Sequence, residues 1–171
     1  MKILMITGNG YDDSEVLYPY YRLIEEGYEV DTASVEKGEV LGKYHFKIDA
    51  DFAFSEVRTD EYDALLIPGG TAPEKLRLMD DVLRIAREFY ADDKPIASIC
   101  HGLQILISAK TLNGLTATCY PGIRDDLKNA GAVYADEKVV VSGKTVTSRK
   151  PADLPYFMKE FIKILKAEKE I

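Results

Sequence analysis

Histidine and cysteine are scarce in this 171-residue chain, which holds two of each: His45, His101, Cys100 and Cys119. Four such side chains without a recognised ligand spacing do not build a structural zinc site, so neither a metal nor any other cofactor is expected. Two cysteines are also too few for a disulfide framework, and both are expected as free thiols in a reducing compartment. Long apolar runs are missing too. Met1-Lys2 leads only into Ile3-Leu4-Met5-Ile6, too short for the core of a signal peptide or a membrane helix, and the cytoplasm is the expected location. Positive charge is not in excess. A net charge of -7 opposes the counterion release that drives nucleic-acid binding and repels anionic lipid, which leaves small substrates or protein partners. Biased segments, linkers and internal repeats are absent. With 46% hydrophobic and 30% charged residues, the chain reads as one globular domain over 1–171, long enough to bury roughly 70% of its unfolded surface.

Strand-like runs at Lys2–Thr7, Tyr28–Ser34, Asp63–Ile67 and Pro95–Ile99 alternate with helical patterns. The first, third and fourth are apolar on both faces, as strands of a covered parallel sheet are. Val16, Leu17, Tyr20, Tyr21 and Ile24 form one helical stripe, and Leu76, Met79, Leu83, Ala86 and Tyr90 a second; both are expected to face the core. A third helix is expected from His101, a fourth near Gly122 and a last from about Ala152, with Leu154, Phe157, Met158, Phe161 and Leu165 inward. The alternation predicts an α/β doubly wound sandwich. Residues 39 to 54 lack a helical stripe and read as a hairpin or an edge pair. In "KVVVSGKTVTS", residues 138 to 148, Ser142-Gly143 between β-branched runs reads as a second hairpin.

"TGNGYDDSE", residues 7 to 15, follows a strand and precedes a helix, the context of a dinucleotide fingerprint. Gly8 and Gly10 fit its first two positions, but Asp13 stands at the third, and Asp12, Asp13 and Glu15 crowd the helix start with negative charge where a pyrophosphate would bind. A capping box, with Asp12 as N-cap and Glu15 reaching back, accounts for the same residues. Pro19 clashes with the Glu15 carbonyl and is expected to distort the first helical turn. The loop still lies at the carboxyl end of a strand, where open parallel sheets bind ligands.

"PIASICHGLQ", residues 95 to 104, places Cys100 where a strand turns into a helix. A nucleophile on such an elbow needs small residues two before and two after it, and Ser98 and Gly102 meet that rule. The positive end of the following helix would lower the thiol pKa and favour a thiolate. The backbone N–H groups of His101 and of Gly70, which follows Gly69 in "IPGGTAPE", are candidate oxyanion donors. Against this, Cys100 could be an inert buried thiol, and His101 could contribute only its amide, since adjacent side chains need not point the same way. His45 is the only other histidine. Cys119 is expected in the core or a pocket wall. A cysteine elbow also occurs in class I glutamine amidotransferases, but these use a histidine far downstream. None follows His101, so that triad cannot be assembled within this chain.

Taken together, "SEVLYPYYRLIEEGYEV", "LLIPGGTAPEKLRL", "KPIASICHGLQILISA", "YPGIRDDLKNAG" and "PADLPYFMKEF" resemble the ThiJ/PfpI superfamily, and within it the archaeal intracellular cysteine peptidases called protease I. The resemblance covers nearly the whole chain. It implies a flavodoxin-like fold, Cys100 as nucleophile, His101 as its partner, oxyanion donors at Gly70 and His101, and the Glu15 carboxylate close to the sulfur. It implies further that Glu74 of a neighbouring subunit orients the histidine, in a homo-oligomer that is a dimer or a hexamer built of dimers. Read alone, Glu74 is an acidic residue in the first turn of a helix after Pro73. Lys43 and Tyr120 sit where the family lines its pocket, and Asp12 stands where that branch usually carries glutamate. An ionised Glu15 would raise the pKa of Cys100, so a protonated Glu15 donating to the sulfur is the consistent arrangement.

Three functions follow from that resemblance. The leading one is a peptidase-type hydrolase in which Cys100 attacks a peptide carbonyl and His101 shuttles the proton. The second is a cofactor-independent glyoxalase or deglycase that takes a small 2-oxoaldehyde or a glycated group through a hemithioacetal at the same sulfur, with Glu15 or His101 moving the proton. The third is a stress chaperone or oxidation sensor built on an exposed, low-pKa cysteine.

Overall fold

Every residue of β1 (Lys2–Ile6) except its first is buried, and its side chains alternate between two cores. Leu4 and Ile6 pack on one face of the sheet, Ile3 and Met5 on the other, which is why this run is apolar throughout. In the computed structural model, which describes residues 1–170, β2 (Glu29–Ser34), a hairpin of β3 (Gly38–Leu41) and β4 (Lys47–Ala50), β5 (Phe52–Ala53), β6 (Ala64–Ile67), β7 (Ile96–Ile99), a short parallel pair of β8 (Thr116–Ala117) and β9 (Val133–Tyr134), and a hairpin of β10 (Val139–Ser142) and β11 (Thr145–Ser148) follow in turn. The helices are α1 (Asp13–Glu25), α2 (Ala72–Leu76), α3 (Asp80–Ala91), α4 (Leu103–Ala109), α5 (Arg124–Asn129) and α6 (Leu154–Lys169).

Seven strands form the main sheet in the order β10-β11-β7-β6-β1-β2-β5. All neighbours are parallel except β10 and β11, so the carboxyl ends of β1, β6 and β7 lie along one edge. One core holds α1 and α6 against the sheet through Val16, Leu23, Phe157 and Phe161; the other holds α2 to α5 through Leu76, Val82, Phe89 and Leu106. Each fully buried large side chain contributes about 1.5–3 kcal/mol relative to leaving it in water. From β1 the chain goes to β2 on one side and later returns to β6 on the other, so the crevice over the carboxyl ends of β1 and β6 is where such a sheet accepts a ligand.

The expected α/β architecture and both hairpins are present, and every residue of the α6 stripe is buried. Two expected stripes need correction. On α1 the buried apolar residues are Val16, Pro19 and Leu23, whereas Tyr21 and Ile24 are exposed, because this helix covers the sheet with a narrow face. The second stripe spans two helices, α2 and α3, broken at Arg77–Met79; α3 buries Val82, Ile85, Ala86 and Phe89 and leaves Tyr90 exposed. Pro19 sits within α1, which continues through it to Glu25. None of the helices among the described residues is long and apolar enough to cross a membrane.

Candidate active site

β7 ends in a sharp bend at Cys100, whose φ of 61° lies in the left-handed region that a side chain seldom adopts. A tight turn over Cys100–Gly102 then feeds α4. The smallness rule has a steric cause here. A Cβ on Gly102 would lie 2.6 Å from the Ile67 carbonyl oxygen and 2.8 Å from Ser98 Oγ. Gly69, after β6, presses on the elbow from the other side, where a Cβ would stand 2.9 Å from Cys100 Cβ and 3.0 Å from the His101 nitrogen. Gly70 has φ of 92° and is crossed by the backbone of Gly10 to Asp12, so no side chain fits there. Its N–H has no acceptor among the described residues, and it follows Gly69 at the elbow, which leaves it a candidate oxyanion donor.

His101 does turn its ring toward the sulfur. Cys100 Sγ is 3.4 Å from His101 Nδ1, and the imidazole is stacked on Tyr120 with centroids 4.5 Å apart and planes 28° from parallel. Tyr120 is itself tied to the elbow by its N–H, which donates to the Cys100 carbonyl at 3.3 Å. Burial, with the nearby Lys43 charge, holds the His101 pKa below its ordinary value, while Glu74 opposes this weakly. The ring is therefore neutral at neutral pH and able to accept a proton. His45, the other histidine, is exposed in the left-handed turn of the β3–β4 hairpin and makes no contact with Cys100.

Glu15 is fully buried. Its Oε1 accepts the Gly69 N–H at 2.8 Å, while Oε2 has no partner of hydrogen-bond geometry among the described residues; the carboxyl also faces the Cys100 thiol. Burial, then the charge of Asp12, push its carboxyl up to about 8, so Oε2 carries a proton at neutral pH. The capping box is half realised. Asp12 Oδ1 accepts from the amides of Ser14 (3.1 Å) and Glu15 (3.3 Å), but Glu15 turns to Gly69 rather than back to the Asp12 N–H, which donates instead to the Gly69 carbonyl at 3.2 Å. Asp12 Oδ2 holds Lys43 Nζ at 2.8 Å.

The thiolate expected from the helix start is not the resting form of the free chain. Burial, then the Glu15 charge, push the Cys100 thiol up to about 12, and the His101 amide offsets this only in part. Proton retention on Glu15 removes the second cause but not the first, and α4, seven residues long behind a tight turn, offers a small dipole. Cys100 is 7% exposed. Cys119 is buried in the other core as a free thiol raised to about 12 by burial.

Glu74 lies on α2, exposed, and makes no hydrogen bond to His101 of its own chain. Two residues that the sequence reading did not place in the site shape it. Asp13, at the failed third glycine position, accepts the amides of Tyr44 and Phe46, each at 2.9 Å, and Tyr11 Oη donates to the Phe46 carbonyl at 2.6 Å. Together they clasp the loop that carries Lys43. No local signal announced this, because the bonds span 31 to 35 residues.

Comparison with known proteins shows the family. The sequence pattern of the DJ-1/PfpI family matches residues 1–164. The chain is 52% identical over 166 residues to Deglycase PfpI of Pyrococcus furiosus, covering 97% of this chain and 100% of that one. It is 43% identical over 166 residues to "Putative cysteine protease YraA" of Bacillus subtilis, covering 96% and 98%. The crystal structure of a ThiJ/PfpI domain protein from Brachyspira murdochii superposes with a TM-score of 0.93 at 26% identity, over 97% of this chain and 96% of that one.

Proposed function

Because the chain belongs to the DJ-1/PfpI family, we propose that it is a cysteine-dependent hydrolase in which Cys100 attacks a carbonyl carbon. The observation that carries this reading is the left-handed elbow that sets Cys100 Sγ 3.4 Å from Nδ1 of a neutral His101, beside an unengaged Gly70 N–H. Since the resting group is a thiol, His101 acts as general base: as sulfur bonds to carbon, the S–H proton moves to Nδ1. The carbonyl oxygen gains the negative charge and receives N–H bonds from Gly70 and His101.

Two carbonyl classes suit this start. With a 2-oxoaldehyde, sulfur adds to the aldehyde carbon to give a hemithioacetal; with its aminocarbinol adduct, the C–N bond at that carbon breaks and the amine leaves with the thiol proton as the C–S bond forms, giving the same hemithioacetal. A proton then moves from that carbon to its neighbour through an enediol, and water hydrolyses the resulting thioester to a 2-hydroxy acid with return of the thiol. The deglycase name of the Pyrococcus relative supports this class. With a peptide, collapse of the tetrahedral oxyanion breaks the C–N bond while His101 protonates the amine, and water then hydrolyses the thioester. The name of the Bacillus relative supports that second class. The deciding test is a panel of peptides, 2-oxoaldehydes and glycated amines given to wild type and Cys100→Ser together. Turnover of one class should fall by at least about a thousand-fold in the variant. Undiminished turnover by rigorously purified Cys100→Ser would remove the reading.

Assembly belongs to the same proposal. Among the described residues His101 has no hydrogen-bond partner on its second ring nitrogen, and Glu74 is exposed, as needed if Glu74 of a neighbouring copy orients the imidazole in a dimer or hexamer. Tyr18, Tyr21 and Ile24 on α1, with Tyr44 and Phe46 on the adjacent hairpin, give an exposed apolar surface for a second copy to cover. Light scattering tests the assembly: a monomer with full activity would refute the role of Glu74.

A further inference from the structure

Glu15 and Gly69 are held by one more residue than the mechanism above uses. Asp12 is 4% exposed, and both of its carboxylate oxygens are occupied. Oδ1 accepts from the Ser14 amide, from Ser14 Oγ at 2.6 Å and from the Glu15 amide, while Oδ2 receives Lys43 at 2.8 Å. The Gly69 peptide is gripped on both sides by the same turn of chain. Its carbonyl accepts the Asp12 N–H, and its N–H donates to Glu15 Oε1. Gly69 in turn abuts Cys100 Cβ and the His101 amide, so a shift of Asp12 would be felt at the nucleophile.

We propose that Asp12 is a positioning residue for the Cys100 site: its carboxylate, shared between the first turn of α1 and Lys43, seats the Glu15 side chain on the Gly69 amide beside the elbow and sets the charge that Glu15 faces. This rests on the reading of Cys100 as the nucleophile. The physical basis is a pair of carboxyl groups three residues apart on one helical turn, of which only one has a cation. Asp12 is ionised because Lys43, the Ser14 hydroxyl and the Glu15 amide compensate its burial, and a second negative charge on Glu15 beside it is then disfavoured. The groups facing Glu15 are Asp12 from its own helix start, Lys43 from the hairpin loop, the Gly69 amide from the loop after β6, and Cys100 from the elbow. Lys43 pulls toward ionisation, but burial and Asp12 outweigh it. Asp13 is engaged elsewhere, with the amides of Tyr44 and Phe46.

Two readouts that need no substrate test this on the full chain. The Glu15 carboxyl is followed by infrared difference spectroscopy through its titration, with Glu15→Gln assigning the band, and the Cys100 thiol by its rate of alkylation with iodoacetamide. In Asp12→Asn the cap survives, because Asn caps as well as Asp. The Glu15 midpoint should fall from about 8 by about one pH unit. Alkylation in the window so opened should slow several-fold, because Glu15 charge acts on the thiol more strongly than Asp12 charge does. Asp12→Glu should restore the wild-type midpoint. Lys43→Gln should move it the other way, upward. An unmoved midpoint in Asp12→Asn, with only a lower melting temperature, would reduce Asp12 to a helix cap and overturn the proposal. Should Asp12→Asn fail to fold, an unmoved midpoint in Lys43→Gln would overturn it equally. Absence of hydrolytic turnover in wild type would sink the proposed function while leaving both readouts intact.

Discussion

Replacing Glu15 with glutamine should make the protein more stable, and increasingly so as pH rises. Glutamine keeps the shape and an oxygen for the Gly69 N–H, but removes the titrating proton. In the unfolded chain Glu15 ionises at its ordinary value of 4.5; in the folded chain it holds its proton up to about 8. Between these values the native state binds one proton more than the unfolded state, so wild-type stability falls with rising pH at about 1.4 kcal/mol per pH unit. Stability linked to this group is thus full below 4.5, declines through the window and is lost above about 8. Across the whole window the displacement amounts to about 5 kcal/mol, a large fraction of the stability of an ordinary domain. Any fixed cost of fitting the amide next to sulfur adds an offset that does not vary with pH. Urea unfolding of both proteins at a series of pH values therefore isolates the carboxyl: the difference in unfolding free energy should climb through the window and then level off. A difference that stays flat would refute the burial argument and with it the proton assigned to Oε2.

Gly69→Ala should be among the most damaging small substitutions. The new methyl would stand 2.6 Å from Glu15 Oε1 as well as against Cys100, so a loss of about 1–3 kcal/mol in denaturant unfolding and a changed pH profile of thiol alkylation are expected. Asp13→Ala should strip the acceptors from the Tyr44 and Phe46 amides, at about 0.5–1.5 kcal/mol each, because both residues are exposed and water can replace the lost acceptor. Amide hydrogen exchange should then quicken at residues 42–46 while α1, capped by Asp12, keeps its protection; equal exchange in both proteins would show that the clasp lies elsewhere. Tyr120→Phe should leave turnover nearly unchanged, because the ring is what stacks on His101, whereas Tyr120→Ala should lower kcat by up to about tenfold with little change in melting temperature.

The parts of the fold that were legible in the sequence are those set by local rules. The elbow follows from Ser98, Cys100 and Gly102, the hairpin at Ser142-Gly143 from a turn whose glycine has φ of 59°, and the α6 stripe from a helix with one covered face. What local rules could not show is which apolar residues find a partner. Tyr21 and Ile24 have the spacing of core residues, yet only tertiary placement reveals that α1 rests on the sheet through Val16, Pro19 and Leu23. The charge state of Cys100 failed for a related reason. A helix start favours the thiolate, but burial is a property of the folded neighbourhood, and here it dominates. Asp13 illustrates the same limit, since its acidity argued against a phosphate while its function as a clasp depended on a loop about thirty residues away.

The two carboxyl groups at the start of α1 show how one environment separates their chemistry. Asp12 faces a cation and two amides and stays charged; Glu15, a turn inward, faces one amide and a sulfur and stays neutral. Had the two been exchanged, an ionised carboxylate would stand beside Cys100 and the thiol would be harder still to deprotonate. As built, the site holds protons on Glu15 and Cys100 and leaves His101 as the one unprotonated base within reach of the sulfur. Proton transfer must then accompany attack rather than precede it, and the sulfur is at its most nucleophilic only when a carbonyl is already in place. A rate of carbonyl addition that followed a pre-formed thiolate, rising tenfold per pH unit toward about 12 with no plateau at the His101 titration, would contradict that order of events.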